Sequence, residues 1–510
     1  MGKSRTQYSL RNSSVALFSQ IISIVLSFAT RTIFIQKLGA EYLGINGLFS
    51  NILTMLSLAE MGIGTAIIYA MYRPLAEENK RQIAALMNLY KKLYNVIGIV
   101  VAILGISLVP FLDVFIKERP DIPYLEGIYL LYLLNTVASY FFTYKRSIII
   151  ADQKGYLSNL NTTIFLILQN IIQIILLFIT GNFYLFLITQ ILCTLVSNIA
   201  ISVKANKMYP YLSTMRNEKV SKEDKVELSK SVVGMMSSKI GSVVVNGTDN
   251  LLISAFVGIY TVGLYSNYKL IVNTVKTLFV QCVSALTASV GNLNATDNKE
   301  KSRDVFWKID FLNYSLAFFG TLYLFYLINP FIELWIGKNY TLSVNIVAAL
   351  VLDFYVVQMR QTPQIYINTY GLFWKIKWKS IIEAAINLTA SVFLMAVLNM
   401  GVFGILLGTL ISNVATNLWW EPFVVFKNGL EMPFHDYLIL YLRNIIILLI
   451  AMTTTHFAVD WLNNSGIFSL AIRFIIITFV GGGVFLVANC RRVEFKYYIQ
   501  LFIRIIKKEV

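Results

Sequence analysis

The sequence predicts an all-α integral membrane protein with fourteen transmembrane helices, arranged as two related six-helix lobes and two extra C-terminal helices. Three observations support this fold class: an apolar composition, a series of long apolar segments and an internal repeat. Of the 510 residues, 57% are hydrophobic and only 14% are charged, and the mean hydropathy is +0.66. A soluble domain has about 45–50% apolar and 25% charged residues, so the excess apolar surface must face lipid.

The apolar segments have the length that a membrane demands. A helix needs about 20 apolar residues to cross the hydrocarbon core. The sequence contains fourteen such segments, at 13–36, 44–71, 93–116, 126–149, 159–180, 183–203, 232–257, 263–290, 309–336, 344–368, 380–399, 402–426, 438–460 and 468–490.

The lysines and arginines between these segments predict the orientation. Connections on the N-terminal side hold 33 of them, and connections on the opposite side hold four. Because cytoplasmic connections carry the excess of basic residues, both termini are predicted to lie in the cytoplasm. A missed helix would invert every later connection, so the charge asymmetry also supports the count of fourteen.

An internal repeat divides the chain into two halves. Gly39 and Gly44 follow the ionisable Arg31, and Gly258 and Gly263 follow the ionisable Asp249 with the same spacing between the glycines. Each glycine pair is predicted to mark the outer turn between the first two helices of a lobe. The resulting organisation is an N-terminal lobe at 1–206, a cytoplasmic linker at 207–231, a C-terminal lobe at 232–428, an extra helix pair at 429–490 and a cytoplasmic tail at 491–510.

The composition and motifs argue against several functional classes. The net charge of +16 comes from short connections between apolar segments, not from a basic face on a soluble module, so no nucleic-acid partner is expected. Neither the three cysteines nor any other residues show metal-ligand spacing. No nucleotide loop, paired catalytic carboxylates or nucleophile–histidine arrangement stands out. We therefore expect no catalytic residues, no cofactor and no enzymatic activity.

Ionisable residues inside a bilayer are costly and usually face a cavity or a partner. Six of them fall in predicted helices 1, 2, 7 and 8: Arg31, Glu60, Lys239, Asp249, Lys269 and Lys276. Helical spacing places Lys269, Asn273 and Lys276 on one stripe, and Lys239 and Asn246 on another. These stripes predict a shared hydrophilic cavity with a net charge of +2, which favours an anionic substrate whose phosphate oxygens pair with ammonium and guanidinium groups.

The same residues leave alternatives open. Asp249 and Lys269 lie at similar predicted depth on either side of a turn, so they could form a structural ion pair or a gate. Arg360, well inside predicted helix 10, is a weaker cavity candidate, as are Asn246 and Asn273. Further ionisable residues lie outside the central set, and snorkelling to the cytoplasmic face suffices to explain two of them, Lys145 and Arg146. The others include Glu383 and Glu421.

The stretch from Leu38 to Gly64, together with Asp249–Tyr268, resembles the oligosaccharide flippases of bacterial capsule and O-antigen pathways, in the multidrug/oligosaccharidyl-lipid/polysaccharide exporter superfamily. The resemblance implies two six-helix lobes in a V and alternating access that moves an undecaprenyl-diphosphate-linked oligosaccharide across the bacterial cytoplasmic membrane. It implies that the diphosphate is held by cavity cations, which here are Arg31, Lys239, Lys269 and Lys276. Arg31 is then a candidate for the outer end of the diphosphate path.

The resemblance also suggests partners. Because the sequence shows no ATPase motif, transport is expected to be driven by a gradient of Na⁺ or H⁺ or by the membrane potential, with Glu60 and Asp249 as candidates for coupling or gating. Membrane lipids and polysaccharide polymerase machinery are further expected partners. The competing interpretations are a lipid II flippase-like protein, a multidrug exporter, and a membrane glycan polymerase or ligase. A multidrug cavity would be expected to carry net negative charge, and the short outer loops disfavour the polymerase or ligase.

Overall fold

The computed structural model describes residues 5–60, 63–284, 286, 290, 299–460, 462 and 466–506. For some helical residues, among them 233–244 and 246, it describes the backbone alone. The chain forms two compact units, Met1–Gly263 and Leu264–Val510. In the described ranges every regular element is helical. The boundaries of the lobes, linker and tail given above stay predictions.

Among the described residues, ten α-helices begin in the first unit, and the last of them continues into the second. They are α1 (Arg5–Leu56), α2 (Ile63–Ala76), α3 (Lys80–Ser107), α4 (Leu125–Thr143), α5 (Arg146–Ala151), α6 (Gly155–Thr180), α7 (Phe183–Met208), α8 (Tyr211–Thr214), α9 (Lys222–Phe256) and α10 (Ile259–Ser284). Polar caps fix several helix starts, because side-chain oxygens satisfy backbone amides that lack an intrahelical partner. Asn79 accepts from the Gln82 amide before α3, and Ser221 accepts from the Asp224 amide before α9.

The second unit contains the remaining helices. They are α11 (Lys299–Ile336), α12 (Val344–Met359), α13 (Gln361–Tyr370), α14 (Lys379–Val392), α15 (Gly401–Ser412), α16 (Leu418–Val425), α17 (Phe434–Val459), α18 (Ile467–Asn489) and α19 (Val493–Ile506). Three π-helical segments follow α14, α15 and α16, at Phe393–Val397, Asn413–Asn417 and Phe426–Leu430.

Two predicted membrane helices are interrupted. In the second predicted helix, 44–71, the α-helix changes to a short 3₁₀ turn at Ser57–Glu60, and α2 is described from Ile63. The tenth, 344–368, breaks at Arg360 between α12 and α13. Hydropathy averaged over a whole segment does not reveal the second interruption, because Val344–Tyr370 still qualifies as one apolar span despite Pro363 and the polar residues around Arg360.

Eleven helices in the described part of the chain are long and apolar enough to cross a membrane, so the count of fourteen is not confirmed by this criterion. One long span, Val15–Leu56, contains nearly all of the first predicted helix, 13–36, and slightly less than half of the second, 44–71. Predicted helices 7 and 8 correspond to α9 and α10, which are not among the eleven. The polar stripes of these two helices lower their mean hydropathy. The same stripes are the feature by which the sequence predicts a hydrophilic cavity.

Within the second unit, the extra C-terminal pair, α17 and α18, packs against α11. The ring of Phe474 on α18 stacks on Tyr323 of α11 with centroids 4.9 Å apart. The Tyr326 hydroxyl donates to the backbone oxygen of Met452 on α17. A Cβ on Gly481 would lie 2.7 Å from Leu322 Cδ1, so this glycine allows α18 to approach α11 closely.

Candidate functional site

The two glycines of each repeat have different roles: the first adopts a positive φ, and the second packs against backbone. The first glycine of each pair has a positive φ, 86° at Gly39 and 136° at Gly258, and breaks the helix at the predicted turn. The second glycine of each pair lies against backbone. A Cβ on Gly44 would lie 2.1 Å from the Ile259 carbonyl oxygen, and a Cβ on Gly263 would lie 2.1 Å from the Ala40 carbonyl oxygen. The two copies of the repeat therefore contact each other through equivalent positions.

Arg31 lies on α1 nine residues before Ala40. Its side chain is partly buried, and its Nη1 atom is buried with no hydrogen-bond partner among the residues that the structure describes. It lies in electrostatic range of Tyr132 on α4, whose hydroxyl donates to Asn46. Since a buried guanidinium nitrogen without an acceptor is costly, Arg31 is suited to bind an anion.

Glu60 is the last residue of the 3₁₀ turn at Ser57–Glu60. The Tyr94 hydroxyl on α3 donates to Glu60 Oε1 at 2.6 Å, and the Tyr140 hydroxyl on α4 also lies within hydrogen-bonding reach of this carboxylate. Asp249, the other coupling candidate of the first unit, is on α9 and only 3% exposed. The carboxylate of Glu60 is thus held by phenols from two neighbouring helices.

Two predicted site residues fall where side chains are outside the described part of the structure. Lys239 and Asn246 both belong to α9, and at these positions the structure describes the backbone alone. Their roles stay predictions. The pair of Asp249 and Lys269 also stays a prediction, because the two residues belong to different units.

In the second unit, Lys269, Asn273 and Lys276 follow one another at helical spacing on α10. The Lys269 ammonium lies 5.3 Å from the centroid of the Tyr265 ring, and Asn273 is exposed. Lys276 lies in electrostatic range of Asp353 on α12 and of Arg360. The attraction of Asp353 offsets part of the repulsion that Lys276 receives from Lys269 and Arg360.

Arg360 belongs to a buried ion cluster that sequence reasoning missed. Its guanidinium binds Glu421 with two hydrogen bonds, Nε to Oε2 at 3.0 Å and Nη2 to Oε1 at 2.8 Å. Lys379 Nζ lies 2.7 Å from Glu421 Oε1 and 3.1 Å from Glu383 Oε2. The two cations balance the two carboxylates, and Lys379, Glu383 and Glu421 are all under 10% exposed.

The π-helical segment after α15 connects this cluster to Asp353. Asn417 donates to Glu383 and to Asn413, both at 2.6 Å, and Asn413 donates to Asp353 at 2.8 Å. Irregular helical segments of this kind occur frequently at functional sites. Arg360, Glu383 and Glu421 are visible in the sequence as isolated ionisable residues, but the packing that joins them is not.

The cations of the second unit fall into two groups, those inside the buried ion cluster and those outside it. Arg360 and Lys379 are paired with carboxylates in the low-dielectric interior, where removal of one partner leaves an uncompensated charge. Lys269 and Lys276 lie outside this cluster, and Lys276 is in electrostatic range of Asp353. Among the described residues no group of three or more His, Cys, Asp and Glu is placed to hold a metal ion.

The fold is similar to several solved membrane transporters. MurJ, a lipid II flippase in an inward closed conformation, matches with a TM-score of 0.64 at 16% identity, covering 93% of this chain and 98% of that chain. An inward-facing multidrug resistance MATE family transporter of the MOP superfamily matches with a TM-score of 0.62 at 14% identity, covering 82% and 99%. A MOP superfamily transporter from Pyrococcus furiosus matches with a TM-score of 0.54 at 13% identity, covering 83% and 97%.

These similarities define a multi-pass membrane protein with the fold of the exporter superfamily that the sequence resembles. Residues 9–287, more than half of the chain, match the family described as "Polysaccharide biosynthesis protein". The chain belongs to this polysaccharide biosynthesis protein family, which confirms the resemblance. A search of the curated proteins gave no match.

Proposed function

We propose that the protein is a flippase that moves undecaprenyl-diphosphate-linked oligosaccharide repeat units across the bacterial cytoplasmic membrane by alternating access. The family membership and the transporter fold support transport rather than catalysis. The observation that carries the proposal is Arg31, whose buried Nη1 has no hydrogen-bond partner among the described residues. A diphosphate would supply the missing acceptor.

The other cavity cations are proposed to extend this site. Lys269 and Lys276 present ammonium groups outside the buried ion cluster of the second unit, and Lys239 on α9 is assigned to the same path by its place on a predicted polar stripe. Ammonium and guanidinium groups pair with phosphate oxygens through charge-assisted hydrogen bonds. Arg360 is satisfied by Glu421, so we assign it to holding the α12–α13 break in position.

Transport is proposed to be coupled to Na⁺ or H⁺ at Glu60 or Asp249. The Glu60 carboxylate accepts a hydrogen bond from Tyr94 at the end of a 3₁₀ turn, where a change in its charge would alter the local geometry. We place both termini in the cytoplasm on the basis of the lysine and arginine distribution.

A gene deletion tests this function. The deletion strain should accumulate the diphosphate-linked repeat unit in the cytoplasmic leaflet, and the wild-type gene should clear it. Arg31→Ala and Lys276→Ala should fail to clear it when expressed at wild-type level. Full clearance by both variants would refute the cationic path. Accumulation of an unpolymerised unit in the outer leaflet would instead indicate the polymerase or ligase.

A lipid II flippase is the second candidate. It is favoured by the similarity to MurJ, which covers 93% of this chain. The two candidates differ in the lipid that accumulates: lipid II in one case and a surface-polysaccharide repeat unit in the other. Mass spectrometry of the lipid extract from the deletion strain distinguishes them.

A further inference from the structure

A basic cavity lies in the first unit, and none of the residues proposed for the transport path lines it. Its volume is about 370 Å³. Four cationic side chains line it, and no carboxylate does so within the described ranges. The four cations are Lys91, Lys92, Lys145 and Arg216. The cavity therefore concentrates positive charge at the end of the unit that the basic connections assign to the cytoplasm.

Hydrogen bonds build this cavity from three parts of the unit. Asn88 on α3 donates to the Met215 carbonyl at 2.9 Å and to the Glu218 carbonyl at 3.2 Å. These bonds hold the segment that carries Arg216 against α3. Lys145, just after α4, donates to Asn206 Oδ1 on α7 at 2.8 Å. The cations are thus brought together by fixed backbone and amide contacts.

The positive charge is not neutralised locally. In the part of the chain described here, none of the four cations forms an ion pair. The nearby Glu218 carboxylate is instead bound to Arg81 at 2.8 Å. Burial, and then repulsion from Lys91 and Arg216, lowers the pKa of Lys145. A bound anion would remove this repulsion.

The surroundings of the cavity indicate a lipid rather than a free anion. Phe141 and Phe142 at the end of α4 and Val203 on α7 are exposed apolar side chains close in sequence to Lys145 and Asn206. Such a surface faces the hydrocarbon region of a membrane. The acyl chains of a lipid whose headgroup occupies the cavity would therefore lie against these apolar side chains. Clustered lysines and arginines next to membrane helices are the usual recognition element for anionic headgroups.

We propose that this cavity binds the phosphate group of an anionic lipid in the cytoplasmic leaflet, independently of the cations on the transport path. Lys91, Lys145 and Arg216 bind the phosphate oxygens, and Asn206 orients Lys145. The bound headgroup stabilises the arrangement of α3, α4 and α7 by neutralising charges that otherwise repel one another.

The test measures lipid binding by the purified full-length protein in detergent, using displacement of a fluorescent phosphatidylglycerol. The pocket variant is the triple substitution Lys91→Gln/Lys145→Gln/Arg216→Gln. The control is Lys204→Gln/Lys207→Gln/Lys222→Gln, which removes the same charge from exposed residues at the same end of the unit, outside the cavity lining. Loss of several charge-assisted hydrogen bonds predicts at least about tenfold weaker binding in the pocket variant, and less than about twofold in the control.

Competition identifies the source of the phosphate. Displacement by unlabelled phosphatidylglycerol indicates a resident membrane lipid and supports the proposal. Preferential displacement by a polyprenyl diphosphate would instead indicate the transported lipid and would overturn the independence of this site from the transport path. Displacement by inorganic pyrophosphate as effective as by either lipid would overturn the lipid assignment. Equal binding by the pocket and control variants would overturn the site itself. Lys145→Arg should retain binding, which separates the loss of the site from misfolding. The assay requires no transport, so its failure leaves the flippase function untouched.

Discussion

Gly44 and Ile259 are in backbone contact, with only 2.1 Å between the Ile259 carbonyl oxygen and the position that a Cβ on Gly44 would occupy. Gly263 has the equivalent relationship to Ala40. Ala40 follows the first glycine of one copy of the repeat, and Ile259 follows the first glycine of the other. The repeat seen in the sequence is therefore also a reciprocal contact, in which each copy provides the glycine that admits the backbone of the other.

Substitution of either second glycine should destabilise the protein. Gly44→Ala or Gly263→Ala places a methyl group against a backbone oxygen that cannot move away without its helix. Overpacking of this kind costs about 1–3 kcal/mol or more. The melting temperature of the purified protein in detergent should fall in both variants, by similar amounts.

Gly482→Ala on α18 is the matched control. Among the described residues, no heavy atom lies within 4 Å of the position that a Cβ on Gly482 would occupy, and alanine favours the helix over glycine. Its melting temperature should be unchanged or higher. If the melting temperature of Gly482→Ala fell as much as that of Gly44→Ala, the contact with Ile259 would not be the cause of the destabilisation.

The ion cluster predicts that replacing Arg360 alone lowers the stability of the fold more than replacing Arg360 and Glu421 together. Arg360→Met leaves three charges, Lys379, Glu383 and Glu421, with a net negative charge in a buried site. Breaking a buried pair in this way costs about 3–5 kcal/mol. Arg360→Met/Glu421→Met leaves the neutral pair of Lys379 and Glu383 at 3.1 Å and should be more stable than the single variant.

A double-mutant cycle tests this prediction. The free energy of unfolding, from thermal or denaturant unfolding, is compared for Arg360→Met, Glu421→Met and the double variant. Arg73→Met is the control, because Arg73 is 87% exposed in its pair with Glu77 and its loss should leave the melting temperature unchanged. Additive losses in the double variant would show that Arg360 and Glu421 do not stabilise each other.

Lys276→Met should impair transport more than it impairs folding. The ammonium group is proposed to bind the diphosphate, and its loss should reduce the transport rate at limiting substrate by about tenfold or more. Lys276→Arg keeps the charge and should retain part of the activity. The control is Lys375→Met at an exposed lysine after α13, which should transport at the wild-type rate. Wild-type transport by Lys276→Met would remove this residue from the substrate path.

Glu60→Gln should uncouple transport from the ion gradient. The amide retains an acceptor for the Tyr94 hydroxyl but cannot be charged, so binding of Na⁺ or H⁺ at this position is lost. Imposing a gradient on proteoliposomes should then no longer stimulate transport, while transport down the substrate gradient persists. Tyr94→Phe, which keeps the carboxylate, should remain sensitive to the gradient. Stimulation of Glu60→Gln to the wild-type extent would place coupling elsewhere.

The sequence predicts the helical class, the apolar segments and the turns at Gly39 and Gly258, because these depend on local composition and on glycine's access to positive φ. It does not predict the contact between Gly44 and Ile259. Five-residue spacing fixes the position of the second glycine on its helix, but only the packing of two distant segments decides what it faces.

The same limit applies to the ion cluster. In the sequence Arg360 is an isolated arginine, and Glu383 and Glu421 are further ionisable residues on other helices. Their association depends on the break at Arg360 and on the π-helical register at Asn413–Asn417. Pro363 is a local signal for the break, but it does not indicate which distant residues Arg360 meets. The basic cavity is similarly hidden, because Lys145 alone is explained by snorkelling and the folded-back segment at Arg216 is what completes the site.

The most direct test of the flippase proposal is transbilayer movement of the substrate in a reconstituted system. Purified protein in proteoliposomes would be given a fluorescent undecaprenyl-diphosphate-linked oligosaccharide, and the fraction accessible to an external reductant would be followed over time. Wild-type protein should expose the inner-leaflet lipid at a rate that Arg31→Ala and Lys276→Ala reduce by about tenfold or more. Wild-type vesicles that expose no more lipid than protein-free vesicles would contradict the proposal.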